Sequence, residues 1–403
     1  MLKNEKFITI FSKFLLFYIV IQPILDLVAG INNNYGNILI RFNLIFRFLF
    51  LGISIIYLIL FCKTKYRKYN IIYLVITLTY FILFLISHSL LMSEFKQLLQ
   101  YFYFPISLIT IFNLDEEKSI KNVNKYLVIS LFLYLILIIV PNILNISFDT
   151  YREGEGSLGL FNSANSISAI LSILLPISLI QLKDKKKIAL FIILYSVCIF
   201  SIGTKTLILN LILVIIYNLV LIIKNISKNN SRKSIPIIIT ITILILASLV
   251  VVIPRSSVYK NINERIKFLK IKTVDDAIDN FDALVLGRRL LYLSNVNDLY
   301  VKSPINEKFI GMGYHNKINK NVEMDFFDVF YSNGIIGFII YFIPIIYIIK
   351  NRIKLKEKNR FIYINKYYTL LLIFMLTLIT GHVITEPNVS LFVSIIIATF
   401  NKK

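Results

Sequence analysis

The sequence has little of what most metal and redox centres are built from. Of its 403 residues only two are cysteine and three are histidine. Cys62 and Cys198 lie in apolar stretches far apart in the chain, so neither a disulfide framework nor a cysteine metal cluster is supported. His88, His315 and His382 are too scattered for the tight constellation a metal needs, although all three fall toward one side of the expected topology. Acidic residues number 22 against 44 Lys and Arg, a formal net charge of +22. Strict apolar/polar alternation is missing from the apolar runs, which excludes lipid-facing barrel strands. No repeat relates the two halves, which weakens a transporter reading without excluding it.

What is there is apolar surface. A chain that is 57% hydrophobic carries more than a soluble fold of this size can bury, and the bilayer is the solvent that accommodates it. A hydrocarbon core of roughly 30 Å needs about 20 helical residues, and about twelve runs reach or approach that length. They fall near residues 7–29, 42–62, 70–92, 96–113, 123–142, 158–181, 187–203, 205–223, 235–253, 326–349, 361–381 and 386–400. The expected fold is therefore an all-α integral membrane protein with about twelve transmembrane helices. The first run follows a short basic start and has no small-residue cleavage site, so it reads as a retained helix.

The positive charges are not spread evenly. Lys63, Lys65, Arg67 and Lys68 follow the second span, Lys118, Lys121 and Lys125 the fourth, Lys185, Lys186 and Lys187 the sixth, and Lys350 to Arg360 the tenth. Alternate connections, such as 31–37 and 381–388, carry almost none. This is the positive-inside pattern of a plasma-membrane protein with both termini in the cytoplasm. The charge thus sets topology and meets anionic lipid; nucleic-acid binding is remote.

One long break, 254–325, separates spans 1–9 (1–253) from spans 10–12 (326–403), and the topology places it outside as the working domain. Val258, Ile262, Ile266 and Leu269 give it an amphipathic surface helix. From Val274 to Tyr292 a second helical face is expected, with Arg288 in the middle of the apolar side and Arg289 toward its edge. An unpaired buried guanidinium is costly, so Arg288 calls for an anionic partner, either a loop aspartate or a ligand. Lys205, in the turn Gly203-Thr204-Lys205-Thr206, reads either as a snorkelling interfacial lysine or as an anion ligand beside a helix start. Glu323, Asp325 and Asp328 crowd the start of span 10. Helix starts favour acids for the macrodipole, which accounts for one or two of them; a third, among Met324, Phe326 and Phe327, suits a general base.

At these same places the chain resembles the bacterial O-antigen ligase and Wzy-type polymerase family. Arg152 followed by Gly159-Leu160-Phe161-Asn162 and Asn165 is similar to the family's outer-loop arginine and its Gly-x-Phe-x-x-x-Asn entry into a span. Gly287-Arg288 and Gly311-Met312-Gly313 resemble its loop Gly-Arg and Gly-x-Gly. Glu323-Met324-Asp325-Phe326-Phe327 with Asn333-Gly334-Ile335-Ile336-Gly337 resembles its His-Asn-x-x-Leu block, with Glu323 where the family has histidine and Lys205 where it has arginine. The resemblance implies metal-independent, cofactor-free transfer of a glycan from a polyprenyl-pyrophosphate carrier to an acceptor sugar hydroxyl on the outer face. Glu323 or His315 would be the base, with Asp325 beside it and Arg288 at the centre. Arg152, Lys205, Arg289, Asn165 and His382 would bind substrate. The expected partners are the lipid-linked donor, the glycan acceptor, membrane lipids and other envelope-biosynthesis proteins. A ligase of the same family, or a flippase for lipid-linked oligosaccharides, is the alternative.

Overall fold

The computed structural model describes residues 2–36, 41–89, 91–150, 156–182, 184–205, 207, 210, 257–314, 322–353 and 360–400. All regular structure among the described residues is helical. The ninth expected span and all of the eighth except Lys205, Leu207 and Asn210 lie outside them, as do Arg152 and His315.

The first half runs α1 (Leu2–Tyr35), α2 (Phe42–Ile56, continued by a π-helical turn Tyr57–Phe61), α3 (Thr64–Ser87), α4 (Met92–Glu116), α5 (Val123–Ile143), α6 (Ala164–Gln181) and α7 (Lys185–Ile202). Residues 257–310 fold into α8 (Ser257–Phe268), α9 (Val274–Asp279), a π-helical turn Asp282–Leu286, α10 (Arg289–Lys302) and α11 (Ile305–Ile310). The chain then returns through α12 (Asp325–Ile353), α13 (Arg360–Ile379) and α14 (Pro387–Ala398). Among the described residues six helices are long and apolar enough to cross a membrane: α1, α2 with its π turn, α3, α5, α6 and α12. This is a multi-pass membrane protein.

Burial sorts these helices by position. Every residue of α4 from 101 to 115 is buried, and so is nearly all of α14, the two helices packing along each other. Uniformly buried helices belong inside the protein, and Ser394 of α14 donates to the Phe104 carbonyl of α4 (3.4 Å) across their contact. Peripheral α2 and α3 leave Phe48, Leu60, Val75, Leu78 and Ile86 exposed, as a lipid-facing surface requires.

Two irregularities shape the end of the bundle where α12 begins. α14 has only 12 residues, about 18 Å of helix, because the chain from Thr380 to Glu386 enters it as a loop. Irregular backbone at such a place must find its hydrogen bonds within the protein. The carboxylate of Asp325 provides them: it accepts the backbone N–H groups of His382 (2.6 Å), Val383 (2.7 Å) and Ile384 (2.7 Å) and the hydroxyl of Thr385 (2.7 Å). The second irregularity is a break in α12 at Gly334, φ 64° and ψ −174°. The break frees carbonyls of the preceding turn. Tyr331 accepts the N–H of Met312 (3.0 Å), Ser332 that of Gly313 (3.2 Å), and Asn333 the Tyr80 hydroxyl (2.9 Å). A Cβ on Gly311 would lie 2.0 Å from the Ser332 carbonyl, so only glycine lets the 311–313 segment dock into the broken helix.

Candidate functional site

The 257–310 segment departs from expectation where it matters most. Val274 to Tyr292 does not form one helix. α9 stops at Asp279, and Gly287 (φ 69°) and Arg288 (φ 68°) both take the left-handed conformation. The Asp282 carboxylate then accepts the N–H groups of Leu290 and Leu291, each at 3.0 Å, and so caps α10 from across the turn. Two consecutive left-handed residues reset the helical phase. Arg288 is therefore exposed rather than seated on an apolar face, and no described residue pairs with its guanidinium.

Arg289, expected at the edge, is the arginine that turns inward. Its side chain is 14% exposed, and Nη2 donates to Glu323 Oε2 (3.3 Å) and to the Thr380 carbonyl (3.1 Å). Its Nε is buried with no acceptor among the described residues. Buried donors are rarely left unpaired, so this guanidinium has capacity for a further anionic oxygen. Glu323 is held in the left-handed region, φ 61°, an uncommon conformation for a residue of its kind. Its side chain keeps 34% exposure, and Oε1 makes no hydrogen bond with a described residue.

Beside Glu323 lies the loop that Asp325 pins. His382, at φ 60°, sets Nδ1 3.7 Å from Glu386 Oε1. Burial alone lowers the imidazole pKa, but the nearby Glu386 carboxylate, with Asp325 and Glu323 behind it, outweighs burial and raises the value from 6.5 to about 9. His382 is thus a cation at neutral pH, a residue that attracts anions rather than one that takes protons. Asp325 has its acceptor sites filled by the loop, so its role here is to position His382. Asp328 holds the segment leading into α12 in the same way, accepting Val322 N–H (2.8 Å) and Met324 N–H (3.1 Å).

The remaining cations approach from other elements. Lys205, just past the left-handed cap Gly203 of α7, donates Nζ to the Leu284 carbonyl, while Arg265 of α8 donates to the Ala283 carbonyl (3.0 Å). Lys205 is near enough to Arg265 and Arg289 for their charges to act on it. Arg265 and Arg288 also line a cavity of about 330 Å³ with Phe268, Leu269 and Tyr292. Ser157, five residues after Arg152, donates its N–H to the Ser201 carbonyl at the same end of α7 (2.6 Å). Asn165 is half-buried in the first turn of α6, behind the Ser163 cap.

Lys205, Arg265 and Arg289 thus converge on one end of the helical bundle, with the exposed Arg288 close by and Glu323, His382 and Glu386 beside Arg289. Two members went unnoticed in the sequence. Glu386 stands four residues after His382 and just before Pro387, a spacing that pairs side chains on a helix start. Arg265 sits on the polar side of the amphipathic α8. Among the described residues no group of three or more His, Cys, Asp or Glu side chains is arranged to hold a metal ion. His88 is spent on packing: its ring stacks on Phe84 and Nδ1 bonds the Phe84 carbonyl (2.7 Å).

A family model described as an O-antigen ligase like membrane protein matches residues 8–280 and 269–400, so that nearly the whole chain is covered and the two stretches overlap at 269–280. No curated protein matches the chain.

Proposed function

The chain belongs to the O-antigen ligase-like family of membrane proteins, and from that premise we propose that it is a polysaccharide polymerase of the plasma membrane, both termini cytoplasmic. It transfers a glycan from a polyprenyl-pyrophosphate carrier to an acceptor sugar hydroxyl on the outer face. The observation that carries this reading is the half-satisfied Arg289–Glu323 pair ringed by Lys205, Arg288, Arg265 and a protonated His382. A departing pyrophosphate carries at least two negative charges, and fixed cations in a partly dry site stabilise that developing charge far better than water does.

The reaction balances with these groups alone. The acceptor oxygen forms a bond to the anomeric carbon of the donor while the bond from that carbon to the phosphate oxygen breaks. The electron pair leaves with the polyprenyl pyrophosphate, and the hydroxyl proton passes to Glu323. Arg289 holds the leaving phosphate through its unmet Nε and steadies Glu323 through Nη2. Arg288, Lys205, His382 and Arg152 add charge, and Asn165 meets the donor at the start of α6. His315 is the other candidate base. With base and leaving group on opposite faces of the sugar, the transfer inverts the anomeric centre. No metal or nucleotide sugar is required.

Reconstitution with polyprenyl-linked repeat units tests this against the ligase and flippase readings. The polymerase reading predicts longer glycans on the carrier. Glycan moved onto a different lipid acceptor in a single step identifies a ligase, and carrier appearing on the opposite leaflet without chain growth identifies a flippase; either outcome refutes it.

A further inference from the structure

At the end of the bundle opposite the Arg289–Glu323 centre, α3, α4 and α12 enclose a cavity of about 620 Å³, within the range of small-molecule sites. Its cause is readable in α12. Pro344 has no N–H to give the Ile340 carbonyl and its ring crowds that turn, so the helix cannot close there, and both residues line the cavity. Ile72, Ile76, Ile109 and Ile343 make the walls apolar.

The mouth is polar and cationic. Lys65 lines it, exposed, its ammonium 5.2 Å from the centre of the Tyr66 ring and in no ion pair among the described residues. Asn113, 2% exposed, faces the same space; its Nδ2 donates to the Ile109 carbonyl (2.8 Å), while Oδ1 is buried without a donor among the described residues. The acids at this end are engaged elsewhere: Glu116 with Arg352 and Tyr66, Asp115 with Arg352, and Glu117 with the Lys63 N–H. An apolar slot, a free lysine at its rim and an orphaned acceptor within it match one chemistry.

We propose that this groove binds an anionic, hydroxyl-bearing phospholipid of the cytoplasmic leaflet, of the phosphatidylglycerol type. An acyl chain fills the space opened by Pro344, Lys65 takes the phosphate, and a headgroup hydroxyl donates to Asn113 Oδ1. The leaflet assignment rests on the orientation proposed above; the site itself does not depend on the transfer reaction. Its position, away from the catalytic end, separates it from the donor carrier.

The chain contains no tryptophan, which makes the test direct. Ile343→Trp places a single fluorophore on the groove wall, Ile76→Trp does so from α3, and Phe48→Trp on the exposed side of α2 serves as the bulk-lipid reference. Each full-length variant is reconstituted in mixed vesicles in which only phosphatidylglycerol, or only phosphatidylcholine, is brominated. Groove tryptophans should be quenched by brominated phosphatidylglycerol as if it were enriched about fivefold over bulk, the factor one lysine near an anionic partner is worth. Lys65→Gln should abolish that enrichment, and the Phe48→Trp protein should follow bulk composition. Equal quenching by both lipids, selectivity unchanged by Lys65→Gln, or displacement of the lipid by added polyprenyl phosphate would overturn the proposal. Glycan growth is not the readout, so failure here leaves the polymerase reading standing.

Discussion

The two ends of the helical bundle use charge in opposite ways. At the end where α12 finishes, Arg352 binds Asp115 (2.8 Å) and Glu116 (3.0 Å), lies 4.7 Å from the centre of the Phe112 ring and is 4% exposed, with Asp115 at 2%. At the end where α12 begins, Arg289 shares one nitrogen between Glu323 and the Thr380 carbonyl, and Glu323 keeps a third of its side chain open. A buried pair with its partners in place is a fastening, and removing one member leaves an uncompensated charge. The Arg289–Glu323 pair is the more open of the two, 14% and 34% exposed against 4% and 2%, so its acid can be reached from outside. The comparison separates a closed ion pair from an open one.

Substitutions can break that distinction in order of expected effect. Glu323→Gln should lower glycan chain growth by about 10²–10⁴-fold, the usual worth of a positioned general base, with the thermal midpoint of the purified protein unchanged. Arg352→Ala should do the reverse, destabilising the protein by about 3–5 kcal/mol, read as a lowered unfolding midpoint in detergent, while the specific activity of the folded fraction is preserved. Arg288→Ala, which removes an exposed guanidinium without a described partner, should weaken donor binding by about tenfold, as expected for one charge-assisted contact, and leave stability alone; an altered midpoint would place Arg288 with the fastenings instead.

The smallest effect is a pH dependence. The folded pKa of His382 is raised above its ordinary 6.5 to about 9. Its stabilising contribution is therefore fully present below about pH 6.5 and is lost as the pH rises through about 9. The attraction of the imidazolium for pyrophosphate fades over the same window. His382→Gln should flatten the pH dependence of both stability and donor binding between those values, measured by unfolding midpoint and by donor titration; an unchanged slope would remove His382 from the site.

How far these features could be read from the chain depended on whether their cause is local. Span length is a local quantity, and it carried the multi-pass helical architecture; the apolar spacing of Val258, Ile262, Ile266 and Leu269 is another, and it carried α8. Arg288 and Arg289 show where a local pattern misleads. A 100° periodicity assumes an unbroken helix, and Gly287 was the one residue in that stretch able to signal a left-handed break. The acids at the start of α12 show a different limit. Three carboxylates in six residues are visible in sequence, but that Asp325 serves the backbone of residues 382–384, Asp328 the segment leading into α12 and Glu323 the arginine depends on contacts 57 to 59 residues away for the first and 34 for the last. Pro344 is plain in the sequence, whereas the groove it opens exists only once α3 and α4 stand beside it.

The account turns on Glu323 acting chemically and Arg289 acting on the leaving group, and one measurement tests both. Chain growth on polyprenyl-linked repeat units is followed for wild type, Glu323→Gln and Arg289→Lys at matched, saturating donor, with donor affinity determined in parallel. The account predicts that Glu323→Gln binds donor within about twofold of wild type yet extends it at least about 100-fold more slowly, and that Arg289→Lys loses both affinity and rate because an ammonium lacks the planar fork. Wild-type rates in the Glu323→Gln protein, with the fold intact, would contradict it.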